Sequence, residues 1–380
     1  MARVVIAATD PRVRACGRVV ASSDGVLRFD WPLTSINFTI RGSSRAWIRM
    51  DGGKNFFGVK TDDGMHDTVA TKVDCVKDYM LNPFDPTRTT TVSIIKRTEP
   101  KSEFGIFAKS SRAVTIHSIV LEAGGELLTP PPAPSRTLEI YGDSDTAGFG
   151  NEGPRTGMSI MSMINALRPN EQDASRSWAA VLGAELGASV HLLAWSGIGV
   201  AWNAPLVNCD VTMAGLWNRM LATDERSGTI HTQATTPDMV IIYLGGNDYW
   251  TMGEAPQVGR PNPKRTEDAF VHAFATWLVQ IRQARPSPIP ILVLACDAHS
   301  GSCLPSREAQ ATFSEVSGRV LRAAVDEAAD ANTHVVPFGA VPVVDHGDDA
   351  DWARNGHWSL QGHEKVGRDI SARLRERGWA

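Results

Sequence analysis

No stretch of this chain is apolar for long enough to cross a bilayer. The longest runs, Met239–Leu244 and Ile289–Ala295, fall far short of the roughly 20 residues that a spanning helix needs. Such runs suit buried strands, and no membrane partner is expected. The opening MARVVIAATDPRVRACGRVV is interrupted early by charge, so no secretory leader is read there. A cytoplasmic location is the expectation, or export if the amino terminus is incomplete. Cysteine is scarce and odd in number, with Cys16, Cys75, Cys209, Cys296 and Cys303 scattered and no CxxC pair. That argues against a disulfide framework and against a paired-ligand zinc site. Buried free thiols are expected, with Cys296–Cys303 the candidate bridge in an exported chain. Neither sign of charge dominates: 38 Lys and Arg stand against 42 Asp and Glu, a formal net charge of −4. Without a basic stripe, the electrostatic footprint of a nucleic-acid binder is missing.

What is present is the composition of a folded globular protein, 42% hydrophobic and 21% charged with no biased block. The 380 residues exceed one ordinary core and suggest two domains. Residues 129–136, TPPPAPSR, read as a stiff extended linker. Before it, in residues 1–128, short alternating segments recur: Ser35–Arg41, Arg45–Met50, Asn55–Lys60, Thr90–Lys96 and Val114–Val120. Gly and Asp punctuate them, which predicts antiparallel strands in an all-β sandwich or jelly roll. After it, in residues 137–380, runs apolar on both faces alternate with helical patterns. The predicted strands are Thr137–Tyr141, Ser189–Ala194, Met239–Leu244, Ile289–Ala295 and His334–Phe338. Helices are predicted over 175–187, over 267–283 and after Ser359. The order β-α-β-α predicts a three-layer α/β sandwich with a five-stranded parallel sheet. Its site belongs beyond the carboxyl ends of the strands.

Four loops fall on that edge. Gly142-Asp143-Ser144 follows the first strand and exposes a hydroxyl near a helix start. Trp195-Ser196-Gly197 follows the second, where a glycine lets a backbone N–H approach a ligand. Gly245-Gly246-Asn247-Asp248 follows the third and offers side-chain N–H donors from Asn247. Asn355-Gly356-His357-Trp358 precedes the last helix. Each segment alone is ordinary, turn chemistry or a structural histidine. Together they supply a nucleophile, oxyanion donors and a base, the set needed for acyl transfer.

GDSDTAGFG, WSGIG, LGGND and HWSLQGHEKVG resemble, in order and spacing, the four sequence blocks of the SGNH (GDSL-like) hydrolase superfamily. More narrowly, the chain resembles carbohydrate esterase family 2, in which a β-sandwich precedes the SGNH domain. Gly17-Arg18, Asp30-Trp31-Pro32, the join at Arg136–Ser144 and Phe149–Gly153 carry that likeness. The resemblance implies Ser144 as nucleophile and His357 as general base. It implies the Ser144 amide, Gly197 and Asn247 as oxyanion donors, and no metal or organic cofactor. It assigns no catalysis to His363. One departure stands out: the acid often found two or three positions before the histidine is replaced by Asn355 and Arg354. Asp351, Asn355 or a backbone carbonyl is left to orient His357.

The implied substrate is an acetylated oligo- or polysaccharide, with the sequence silent on oligomeric state. Among 11 tryptophans, Trp195, Trp250, Trp352 and Trp358 lie beside motif residues and Trp202 is close by. Trp250 and Trp358 are the candidates to stack on sugar, against a core role such as that expected for Trp178 and Trp277. Residues 345–351 are acidic but lack EF-hand spacing, so a solvated loop is expected. Two competing readings remain: a lipase or thioesterase of the same superfamily, and a non-catalytic carbohydrate-binding protein.

Overall fold

The computed structural model describes residues 2–62, 64–72, 75–81, 83–101, 112–156, 169–205, 207, 209–230, 236–253, 259–285, 289–296, 307–339 and 351–379. The chain divides into two compact units, Met1–Pro134 with Arg219–Thr229, and Ser135–Asn218 with Ile230–Ala380.

The first unit is built from two antiparallel six-stranded sheets. Period-two alternation places Ile36, Phe38 and Ile40 of Ser35–Arg41 in the core, and Ala46, Ile48 and Met50 of Ala46–Asp51 likewise. Residues from both sheets contribute to one apolar cluster, which is why alternation rather than continuous hydrophobicity marks these strands. A linear reading of the sequence could not place the hairpin Arg219–Leu221 with Asp224–Thr229, which the chain contributes to this unit from far downstream. Its turn is held by the fully buried Asp30, whose Oδ1 accepts from the Ala222 amide at 2.9 Å. Oδ2 accepts from the Thr223 amide and hydroxyl, each at 2.8 Å. Arg18 and Trp31 both donate to the Arg219 carbonyl, at 2.8 and 3.4 Å. The Gly17-Arg18 and Asp30-Trp31-Pro32 segments thus serve this hairpin.

The second unit carries a parallel sheet in the order Ala188–Ala194, Arg136–Gly142, Met239–Tyr243, Ile291–Cys296, Thr333–Phe338. Helix Trp178–Leu186 packs on Leu360–Glu376, and Glu267–Ala284 packs on Arg307–Ala328. The predicted strands and helices recur with ends shifted by at most three residues. Buried Ile140, Ile241, Val293 and Leu294 explain why the strands read as unbroken apolar runs. Glu139 breaks the pattern and is matched by Arg285, with both carboxylate oxygens within 2.8 Å of Nη2. Strand order reverses between Arg136–Gly142 and Met239–Tyr243, their partners lying on opposite sides. A switch point of this kind opens a crevice at the carboxyl ends of the two strands.

Of the cysteines, Cys296 is buried, whereas Cys16, Cys75 and Cys209 are only half-buried. Burial of all the thiols was too strong an expectation: three sit on short strands or loops where one side faces water. The bridge to Cys303 lies outside the described residues, as does the acidic loop up to residue 350. Among the described residues, no helix is long and apolar enough to cross a membrane, and no group of three or more His, Cys, Asp or Glu could hold a metal ion.

Candidate active site

Ser144 opens the short helix Ser144–Ala147 at the end of the first sheet strand. Asp143 caps this helix, its Oδ1 accepting from the Asp145 amide at 3.1 Å. The Ser144 hydroxyl lies 2.9 Å from Nε2 of His357. On the far side of the ring, Nδ1 lies 3.2 Å from the Arg354 carbonyl oxygen. A carbonyl can only accept, so Nδ1 carries the hydrogen and Nε2 is left to accept from serine. Phe149 packs on the imidazole, with ring centroids 4.8 Å apart.

Asp351 does not orient the histidine. It is 2% exposed, and its Oδ2 pairs with Lys365 Nζ at 2.7 Å. The side chain of Asn355 lies outside the described residues. Among the described residues, the backbone carbonyl is the orientation with a hydrogen bond to the ring.

Gly197 and Asn247 arrive from the second and third strands. Gly197 has φ +75°, and a Cβ there would lie 3.0 Å from Val207 Cβ; both constraints favour glycine. Its amide and that of Ser144 make no hydrogen bond among the described residues. The Asn247 side chain donates to Asp143 Oδ2 at 3.0 Å and to the Ile198 carbonyl at 2.9 Å. It is therefore held in the crevice with both amide hydrogens engaged. Burial, together with the nearby charges of Asp145 and Asp248, pushes the Asp143 carboxyl well above its usual value.

Asp248 is a site residue that the motif reading passed over. Fully buried, it accepts from the amides of Val200, Ala201 and Trp202 at 2.9, 2.7 and 2.7 Å. Burial raises its carboxyl to about 6 against the lowering effect of those amides. The carboxylate thereby fixes the turn that follows Gly197. Gly199 fits only without a side chain, since a Cβ would lie 2.0 Å from the Trp202 carbonyl oxygen and 2.7 Å from Asp248 Oδ2. The available signal was an acid directly after Asn247, opposite a turn rich in unpaired amides.

The tryptophans separate. Trp358 is 1% exposed, stacked on Tyr243 at 5.9 Å and edge-on to Phe338. This corrects its assignment to sugar binding: one residue past His357 the chain has turned its side chain into the core. Trp195 is likewise buried, as are Trp178 and Trp277. Trp202, Trp250 and Trp352 are half-buried. Trp250 stacks on Phe313 with ring centroids 5.7 Å apart and comes near Gly246, beside Asn247. His363 is buried, accepts from the Trp178 amide at 3.1 Å through Nδ1, and is a packing residue.

A hydroxyl bonded to an oriented imidazole at a strand end, with the Ser144 and Gly197 amides making no hydrogen bond among the described residues, is equipped for acyl transfer. Residues 140–365 match the GDSL-like lipase/acylhydrolase family, and residues 15–131 match the carbohydrate esterase 2 N-terminal family. This chain belongs to the GDSL-like lipase/acylhydrolase family, with an N-terminal unit of the carbohydrate esterase 2 type. It is 24% identical over 250 residues to an acetylxylan esterase/glucomannan deacetylase of Cellvibrio japonicus, covering 64% of this chain and 63% of that protein. It is 25% identical over 252 residues to the cellulase/esterase CelE of Acetivibrio thermocellus, covering 64% of this chain and 27% of that protein. Less than two thirds of either relative is therefore spanned. A family two carbohydrate esterase from Clostridium thermocellum, solved in complex with cellohexaose, shares the fold. Its TM-score is 0.76 at 20% identity, over 97% of this chain and 100% of that one.

Proposed function

We propose that this protein is a carbohydrate acetylesterase acting through an acyl-enzyme on Ser144. The observation that carries the reading is the 2.9 Å contact between Ser144 Oγ and an imidazole nitrogen left free to accept by the Nδ1 bond to Arg354. As Oγ attacks the ester carbonyl, its proton passes to His357 Nε2. The Ser144 and Gly197 amides donate to the oxygen that gains charge, and the Asn247 carboxamide joins them by giving up its bond to Asp143 or to the Ile198 carbonyl. Collapse breaks the ester C–O bond, and the proton leaves with the sugar alcohol. Water, deprotonated by His357, then attacks the acetyl-serine, releasing acetate and restoring the hydroxyl. Each oxyanion donor of this kind is worth roughly 100- to 1000-fold in turnover.

The saccharide part of the proposal is supported by the carbohydrate esterase 2 match and by a relative named for xylan and glucomannan deacetylation. Trp250, half-buried near Asn247, is the tryptophan suited to a sugar face. The test is acetate release from acetylated xylan and manno-oligosaccharides by wild type and Ser144→Ala. Release by wild type alone is expected. Equal release by both would exclude Ser144 as the nucleophile. Faster turnover of octanoyl than acetyl nitrophenyl esters would favour a lipase or thioesterase. Saccharide binding with neither turnover nor fluorophosphonate labelling would favour a non-catalytic binder.

A further inference from the structure

We infer that the largely buried Arg354–Glu171 ion pair is a positioning device for His357, doing through the backbone what a carboxylate does directly in a triad. The inference rests on His357 acting as the base.

Both the Nδ1–H and the backbone N–H of His357 end on one atom, the Arg354 carbonyl oxygen, at 3.2 and 3.1 Å. The ring can be no better placed than that oxygen. The carbonyl lies at the start of a single 3-10 turn, Arg354–Gly356, too short to hold itself rigid. The side chain of the same residue supplies an anchor. Its guanidinium grips Glu171 in a fork, with Nη2 to Oε1 at 2.7 Å and Nε bonded to Oε2. The two side chains are only 8% and 15% exposed.

Glu171 connects in turn to the nucleophile side. Its carbonyl accepts from the Glu152 amide at 3.2 Å. The backbone of Gly150 and Gly153 lies so close that an added Cβ would come within 3.0 Å of Arg354 Cβ and 2.6 Å of Glu171 Oε2. This segment continues from the Ser144 helix through Phe149, whose ring packs on His357. The ion pair thus closes a loop of contacts running from Ser144 to His357.

Charge matters as well as place. A neutral carbonyl compensates an imidazolium less than a carboxylate would, and an unpaired guanidinium nearby would oppose its formation. Glu171 cancels that charge. Among the described residues, Asp145 on the Ser144 helix and His363 on the final helix also interact electrostatically with the ring.

The test compares wild type, Glu171→Gln and the double variant Arg354→Met/Glu171→Met on a small acetyl ester across pH. Histidine 15N NMR follows in parallel. With Glu171→Gln, kcat is expected to fall roughly 10- to 100-fold with KM within about twofold. The acid limb of the pH profile should move down by about one unit, because the unpaired guanidinium disfavours imidazolium. The double variant leaves no unpaired buried charge and is the one expected to fold if the single variant does not. Its acid limb should stay near that of wild type while kcat remains low, and the His357 ring should lose its fixed Nδ1–H tautomer in the NMR spectra. A folded double variant with wild-type kcat and an unchanged tautomer would overturn the inference. A wild type that hydrolyses no ester would defeat the esterase reading instead, and the tautomer comparison would still decide this one.

Discussion

Replacing Asp351 with Asn separates two accounts of how His357 is held. Where an imidazole leans on a carboxylate, amidation of that acid lowers kcat by roughly 10⁴, about 5.5 kcal/mol of transition-state stabilisation. Here the acid nearest upstream in the sequence is turned away. Asp351 Oδ2 bonds Lys365 at 2.7 Å while His357 Nδ1 bonds the Arg354 carbonyl. Asp351→Asn is therefore expected to change kcat and kcat/KM by less than about threefold, roughly 0.6 kcal/mol. Its cost should appear in stability. The Asp351 side chain is 3% exposed and that of Lys365 41%, so the lost charge-assisted bond is worth about 1–3 kcal/mol. In a unit of this size that is a fall in Tm of a few degrees or more, at about 2–4 °C per kcal/mol. Acetyl nitrophenyl ester hydrolysis, measured beside a thermal melt, reads both quantities. A loss of 10³-fold or more in a variant that still melts cooperatively would refute the backbone-carbonyl account.

Gly199→Ala should lower both turnover and Tm, because its methyl group would meet the Trp202 carbonyl at 2.0 Å and must displace the turn held by Asp248; kinetics and a melt indistinguishable from wild type would show that the turn has slack. His363 supplies a pH signature. Burial lowers its value from 6.5 to about 3, so below pH 6.5 the unfolded chain takes up a proton that the folded chain refuses. Stability should fall by about 1.4 kcal/mol per pH unit from 6.5 towards 3 on this account. His363→Asn retains an acceptor for the Trp178 amide, and urea denaturation at pH 4.5 and 6.5 should show a shallower loss than wild type. Equal losses in the two proteins would place the acid sensitivity elsewhere.

The sheet and the positions of Ser144 and His357 were legible because their signals are local. Met239–Tyr243 and Ile291–Cys296 are unbroken apolar runs, and Ser144 and His357 each adjoin a recognisable strand end or helix cap. What orients His357 was not legible, since its acceptor is a backbone oxygen and every residue has one. Sequence could only leave Asp351, Asn355 and a carbonyl as equals. Trp358 misled because proximity along the chain to His357 does not say which way a side chain faces. Asp248 was hidden in a motif whose composition also suits any turn, and its role emerges only when three amides converge on it. The partners Arg354 and Glu171 are far apart in sequence and carry no spacing signal.

The hairpin Arg219–Thr229 bears on how this protein could be inherited or cut. Severing the polypeptide at the proline-rich segment would yield a first fragment whose Asp30 has lost the Ala222 and Thr223 donors, and whose Arg18 and Trp31 have lost the Arg219 carbonyl. A hydrogen bond to a charged group is worth about 1.5–3 kcal/mol, so losing several at once removes a large fraction of what holds a small domain together. The amino-terminal sandwich is thus not a cassette that recombination can shuffle between genes at a single breakpoint. Its missing piece is written inside its neighbour's coding sequence, and the two must travel together.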